Sequence, residues 1–126
     1  MIVTGEVVHG FGRGSKLLGF PTANLNIIDS SVSFFSCLAE GIYYGYATLH
    51  DVKYKAVMSV GLNPTFNTTE KTFEVYLIDY SGDDFYGDKL TVNVVDFIRE
   101  SIKCKSIEEL KNWIRRDVEI AKSKLH

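Results

Sequence analysis

The stretch TFEVYLIDY, Thr72 to Tyr80, alternates without a break. Phe73, Val75 and Leu77 fall on one face, and Glu74, Tyr76 and Ile78 on the other. Successive side chains of an extended chain point to opposite faces, so this period of two predicts a β-strand with one face on a core. The pattern recurs outward from this segment. In KYKAVMSVG (Lys53 to Gly61), Tyr54, Ala56, Met58 and Val60 oppose Lys53 and Lys55. In KLTVNVVDFI (Lys89 to Ile98), Leu90, Val92, Val94 and Ile98 share a face. GIYYGYATL (Gly41 to Leu49) and TGEVVHG (Thr4 to Gly10) add tyrosine-rich and β-branched runs bounded by glycine. Short strands separated by turn signals predict an antiparallel β-barrel or sandwich.

The period changes near the end of the chain. Ser106 and Glu109 form an S-x-x-E capping box, which satisfies free backbone N–H groups at a helix start. Ile107, Leu110, Ile114, Val118, Ala121 and Leu125 then recur at helical spacing, and Trp113 widens the stripe. The stripe predicts a helix packed on the barrel; a partner-binding helix is the alternative.

The bulk properties bound the rest. With 126 residues, 45% of them hydrophobic and 24% charged, the chain suits one soluble domain spanning 1–126. A net charge of −2 and a pI near 5.9 argue against bulk binding to nucleic acid. Tyr43, Tyr44 and Tyr46 would stack bases only in a minor reading; barrel packing is their ordinary use. Cys37 and Cys104 form neither a CxxC pair nor a metal cluster, so reduced structural thiols in a cytoplasmic protein are expected. No apolar run reaches the roughly 18 residues of a membrane span, and no secretory signal is visible. No heptad or exposed apolar stripe demands a dimer, so a monomer is expected.

Four segments are candidates for chemistry. Gly10-Phe11-Gly12-Arg13-Gly14-Ser15-Lys16 is neither a Walker A loop nor a dinucleotide fingerprint. Its glycines let backbone N–H groups turn toward an anion, and Arg13 and Lys16 add positive charge; it reads equally as a hairpin loop. Phe20-Pro21-Thr22-Ala23-Asn24 follows. Thr22 and Asn24 sit two apart, on one side of an extended chain, and offer hard oxygen donors of the kind Mg²⁺ takes; a capping Thr and a turn Asn are the alternative. Glu74 is either a solvated strand carboxylate or a general base in a barrel mouth. DDFYGDKL (Asp83 to Leu90), with its aspartates and Tyr-Gly pair, reads as a tight turn before the last strand.

Taken together, GxVVHGFGRGSK, LGFPTAN, GIYYGYA, SVGLNPTF, FEVYLIDY, DFYG and DVEIAKSKL resemble the riboflavin kinase (flavokinase) family from Gly5 to about Leu125. The wording is closer to eukaryotic members than to bacterial ones. The resemblance implies a six-stranded antiparallel Greek-key β-barrel with a C-terminal helix packed on it. It implies transfer of the ATP γ-phosphate to the 5′-hydroxyl of riboflavin, giving FMN and ADP. By position it implies Mg²⁺, or another divalent ion such as Zn²⁺ or Mn²⁺, on Thr22 and Asn24. Gly12, Arg13, Gly14, Ser15 and Lys16 would cover the phosphates, Phe85, Tyr86 and Gly87 would border the adenine, and Glu74 would be the catalytic base. The segment after Arg99 would lie near the flavin. There the chain departs from the family's usual Arg-x-Glu and following Phe: it reads Arg99-Glu100-Ser101-Ile102-Lys103-Cys104. The adenylyltransferase module fused to many bacterial members is missing, so this chain is expected to stop at FMN. It starts close to the first strand, as a fragment of a longer protein would. A barrel that binds flavin or nucleotide without turnover is the competing reading.

Overall fold

A computed structural model describes residues 1–8, 22–28, 32–65, 68–81 and 85–125. Six strands, β1 (Ile2–Val8), β2 (Ala23–Ile27), β3 (Gly41–Leu49), β4 (Val52–Thr65), β5 (Thr68–Leu77) and β6 (Lys89–Arg99), close a barrel in the order β1-β2-β5-β4-β3-β6. Every pairing is antiparallel. This is the six-stranded Greek-key barrel that the resemblance implied. Closure leaves no free sheet edge.

The alternation read from the sequence sets the inner wall. Ala56, Met58 and Val60 of β4, Phe73, Val75 and Leu77 of β5, and Leu90, Val92 and Val94 of β6 are buried in one cluster with Val3 and Val7 of β1. Ile98 departs from its predicted face. The β3–β6 register skips Val95 between Tyr44 and Gly45, and Ile98 between Ile42 and Tyr43. These bulges turn Ile98 out of the inner wall and into a second cluster. Gly45 stands at the first of them because a Cβ there would meet the carbonyl oxygen of Asn93 at 1.9 Å.

Two helices occur among the described residues. The short α1 (Val32–Cys37) was not anticipated from the sequence. It joins the end of β2 to the start of β3, and its Phe35, with Leu38 just beyond it, enters the inner cluster. Phe35 packs on Phe73 with ring centroids 5.4 Å apart. Lys71 Nζ donates to the carbonyls of Phe35 and Ser36 at 2.8 and 3.1 Å, placing a cation at the C-terminal end of α1, where the helix dipole favours one.

The C-terminal helix, α2 (Ile107–Lys124), starts where the capping box predicts. Glu109 N donates to Ser106 Oγ at 3.1 Å, and Lys105 N donates to Glu109 Oε2 at 3.0 Å. Val118, Ala121 and Leu125, with Ile114, cover Tyr44, Val57 and Ile78 on the outside of the barrel. Ile107, the first residue of the predicted stripe, is 64% exposed. A residue absent from that stripe, Asp117, is buried instead. Its carboxylate accepts two hydrogen bonds from Arg99 at the end of β6, from Nε at 2.8 Å and from a terminal nitrogen at 2.7 Å. The guanidinium also lies 4.9 Å from the centre of the Trp113 ring.

Removing one partner of a buried pair strands the other charge, which costs more than the intact pair contributes. Asp117→Ala is therefore expected to lower stability by about 3–5 kcal/mol, read from the urea midpoint. Ile107→Ala, on the exposed first turn of the same helix, should stay within about 0.5 kcal/mol.

Candidate functional site

One end of the barrel collects the end of β1, the start of β2, the turn between β3 and β4, the end of β5 and the start of β6. Most of the sequence-derived candidates that fall on described residues gather there. Thr22 stands directly before β2. Asn24 pairs with Val8 of β1 on one side and with Glu74 of β5 on the other. The Thr22 hydroxyl donates to Glu74 Oε1 at 3.1 Å, across 52 residues of sequence.

Glu74 alternates with the core residues Phe73 and Val75, so its carboxylate belongs to the outer face of the barrel and not to the interior of a mouth. Its β4 partner is Ser59. Thr22, Asn24 and Glu74 are each half-buried. Tyr76 follows on the same face; burial, with the negative charge of Asp79 adding to it, raises its phenol above the ordinary tyrosine value. It is therefore a neutral hydroxyl at physiological pH.

The Phe85–Gly87 turn is fastened to the same end. Asp88 N donates to Phe85 O at 3.1 Å, which closes the turn. Gly87 has φ +85°, a region that side chains enter at a cost of about 1–2 kcal/mol. Gly87 N donates to Val7 O at 2.7 Å, and Val7 N donates to Asp88 O at 2.9 Å. The turn thus extends the edge of β1. The His50 ring pairs with Asp88 Oδ2 at 3.0 Å from the β3–β4 turn. Phe85 packs against the inner cluster, whereas Tyr86 is exposed. Gly12, Arg13, Gly14, Ser15 and Lys16 lie outside the described residues.

Other sequence candidates receive a structural role. Tyr43 and Tyr44 are buried, and Lys53 Nζ lies 4.2 Å from the centre of the Tyr46 ring. Tyr43 and Tyr44 therefore offer no face for base stacking. Burial also raises the Tyr43 phenol, which donates to Ala39 O at 2.6 Å. Arg99, placed near a flavin by the resemblance, has its guanidinium bound to Asp117. Cys104 is half-buried and free, and Cys37 is exposed and free. The Arg99–Asp117 pair had one sequence signal: an acid at a position flanked by the apolar residues of a helix stripe.

Thr22, Asn24 and Glu74 offer hydroxyl, amide and carboxylate oxygens. No group of three or more His, Cys, Asp or Glu side chains suited to a metal occurs among the described residues. Thr22 and Asn24 fit a hard divalent cation that takes few protein ligands and completes its shell with water and phosphate. No described helix is long and apolar enough to cross a membrane.

Comparison with known proteins identifies the family. The family model for riboflavin kinase (Flavokinase) matches residues 1–125. The human riboflavin kinase is 42% identical over 125 residues, covering 96% of this chain and 78% of that protein. A bifunctional riboflavin kinase/FMN phosphatase from Arabidopsis thaliana is also 42% identical; the match takes in 98% of this chain but only 32% of the plant protein. Among solved structures, riboflavin kinase from Trypanosoma brucei superposes with a TM-score of 0.76 at 27% identity, over 98% of this chain and 78% of that one. A Streptococcus pneumoniae structure titled as a macrolide-efflux protein superposes at 0.85 with 36% identity, over 96% of this chain and 38% of the other. The barrel, the motif order and the full-length family match together make this chain a member of the riboflavin kinase family.

Proposed function

We propose that the chain transfers the γ-phosphoryl group of ATP to the 5′-hydroxyl of riboflavin, giving FMN and ADP, with Glu74 as general base. The observation that carries the residue roles is the 3.1 Å hydrogen bond from Thr22 to Glu74, beside the Asn24–Glu74 pairing. It joins the PTAN segment to a carboxylate that has no sequence motif of its own in common with it. The family match supports the reaction.

Phosphoryl transfer needs positioning and charge neutralisation more than covalent help from the protein. Glu74 takes the proton of the 5′-hydroxyl as the oxygen–phosphorus bond forms and the bond from the γ-phosphorus to the bridging oxygen of ADP breaks. Thr22 holds one carboxylate oxygen and so orients the other. Thr22 and Asn24 hold a divalent ion, Mg²⁺ or another such as Zn²⁺ or Mn²⁺, together with the nucleotide phosphates. When bound, that ion would supply charge neutralisation for the phosphates. Gly12, Arg13, Gly14, Ser15 and Lys16 cover the phosphates with backbone N–H groups and positive charge. The Phe85–Gly87 turn borders the adenine at the end of β1.

Positioned general bases contribute roughly 10²–10⁴-fold in rate. Glu74→Gln should therefore keep the fold and lose about 10²–10⁴-fold in kcat; near-normal turnover would remove Glu74 from the role. Consumption of ATP should require both riboflavin and a divalent ion. Binding of both without turnover would favour a flavin or nucleotide carrier. In Asn24→Ala, the ion concentration giving half-maximal rate should rise while riboflavin affinity stays within about twofold, since that contact is made to the ion and not to the flavin. Equal loss of both would mark Asn24 as structural.

A further inference from the structure

Three aromatic rings lie in a row behind the Phe85–Gly87 turn. Tyr54 of β4 meets Tyr80 edge to face, with centroids 5.5 Å apart and an interplanar angle of 87°. Tyr80 in turn meets Phe85 at 5.2 Å and 90°. All three are partly buried against the inner cluster. The row is set by the backbone after β5. Ile78 N donates to Lys55 O at 2.9 Å, Asp79 takes a left-handed φ of +63°, and Tyr80 N returns to Leu77 O at 3.4 Å. This reversal carries Tyr80 back over the end of the barrel, between β4 and the turn. Phe85 is thus clamped from two sides: by the backbone hydrogen bonds of Gly87 and Asp88 to Val7, and by the ring of Tyr80.

The geometry points to Tyr80, buttressed by Tyr54, as the positioning residue that sets the Phe85–Gly87 turn for nucleotide binding. The inference rests on the proposed placement of adenine at that turn. Tyr80 does not itself belong to the turn; it acts through the Phe85 ring. Perpendicular aromatic contacts fix both the distance and the tilt of a ring, because the positive edge of one seeks the negative face of the other. Phe85 is held in this way, while Tyr86, next in the turn, is left exposed. Loss of the Tyr80 ring leaves the Val7 hydrogen bonds in place, so the turn should persist with Phe85 free to tilt. The expected cost falls on the nucleotide and spares the flavin and the chemical step.

The test is steady-state kinetics of the full chain with the ATP and riboflavin KM values measured separately, beside MgADP affinity by calorimetry. Tyr80→Leu, which keeps apolar bulk but removes the ring, should raise the ATP KM and the MgADP Kd by about two- to tenfold, the range of one or two aromatic pairs. Its riboflavin KM and kcat should change by less than about twofold. Tyr80→Phe should restore nucleotide affinity, because the ring makes both aromatic contacts, to Tyr54 and to Phe85. Tyr54→Leu should give a smaller effect of the same kind, and serves also if the Tyr80 variant folds poorly. Unchanged nucleotide affinity in Tyr80→Leu, or equal rises in both KM values, would overturn the inference. Phe85→Ala separates it from the reading beneath: if that variant also leaves nucleotide affinity unchanged, the adenine placement fails; if only Phe85→Ala weakens it, the positioning role alone fails.

Discussion

The seam between β2 and β5 is the constraint on which the rest depends. It is short, with only Ala23 opposite Val75 and Asn24 opposite Glu74. Without it the remaining strands form an open sheet with two exposed edges, the arrangement that invites pairing with other chains. With it the barrel closes, and closure places Asn24 beside Glu74 and Thr22 within hydrogen-bond reach of it. The segments joined are some fifty residues apart. The entropy of closing so long a loop grows only slowly with length, but it must be met before any contact repays it. Folding and assembly of the proposed dyad are therefore one event.

Outside the barrel a second interaction sets direction more than it adds stability. Arg99 and Asp117 are taken out of water together, and their mutual attraction largely offsets that desolvation. Apolar residues at both positions would hold α2 about as well. What the pair adds is a fixed register: a bidentate carboxylate–guanidinium contact has one geometry, and the guanidinium carbon lies 4.9 Å from the centre of the Trp113 ring. The end of β6 is thereby fixed to the third turn of the helix. At the opposite wall, Lys71 does the corresponding task for α1.

Strands and terminal helix were legible because their signals are local. Phe73, Val75 and Leu77, and Ser106 with Glu109, need only their neighbours in sequence to be understood. The short α1 was not, since Val32–Cys37 is less than two turns long and its apolar residues show no period. Ile98 was misplaced because a bulge depends on the partner strand: nothing in KLTVNVVDFI says that β3 will skip Val95. Asp117 was missed for the same reason, its partner lying on another element. Thr22, Asn24 and Glu74 each carried an ordinary alternative in the sequence, and only the family resemblance joined them there. The structure brings Asn24 to Glu74 through register and Thr22 to Glu74 through a hydrogen bond. Gly12 to Lys16 fall outside the described residues, so their part remains an expectation from motif and family.

The position of the site follows from the size of the barrel. Eight strands give an interior just wide enough to fill with side chains. With six the interior is narrower, and among the described residues Phe73, Met58, Leu90 and Val92 are packed inside it. A barrel this small must place its chemistry on the outer wall and the rim, where strand positions alternate with the core. That explains why Glu74 sits between two of the most buried residues in the chain and yet has its carboxylate outside. The neighbours Phe73 and Val75 cannot shift without opening the core, so the backbone that carries Glu74 is held as rigidly as the interior itself. The same arrangement leaves one side of the site uncovered by strands. On the described residues that side is bordered by the Phe85–Gly87 turn, which is hydrogen-bonded to Val7 near the end of β1.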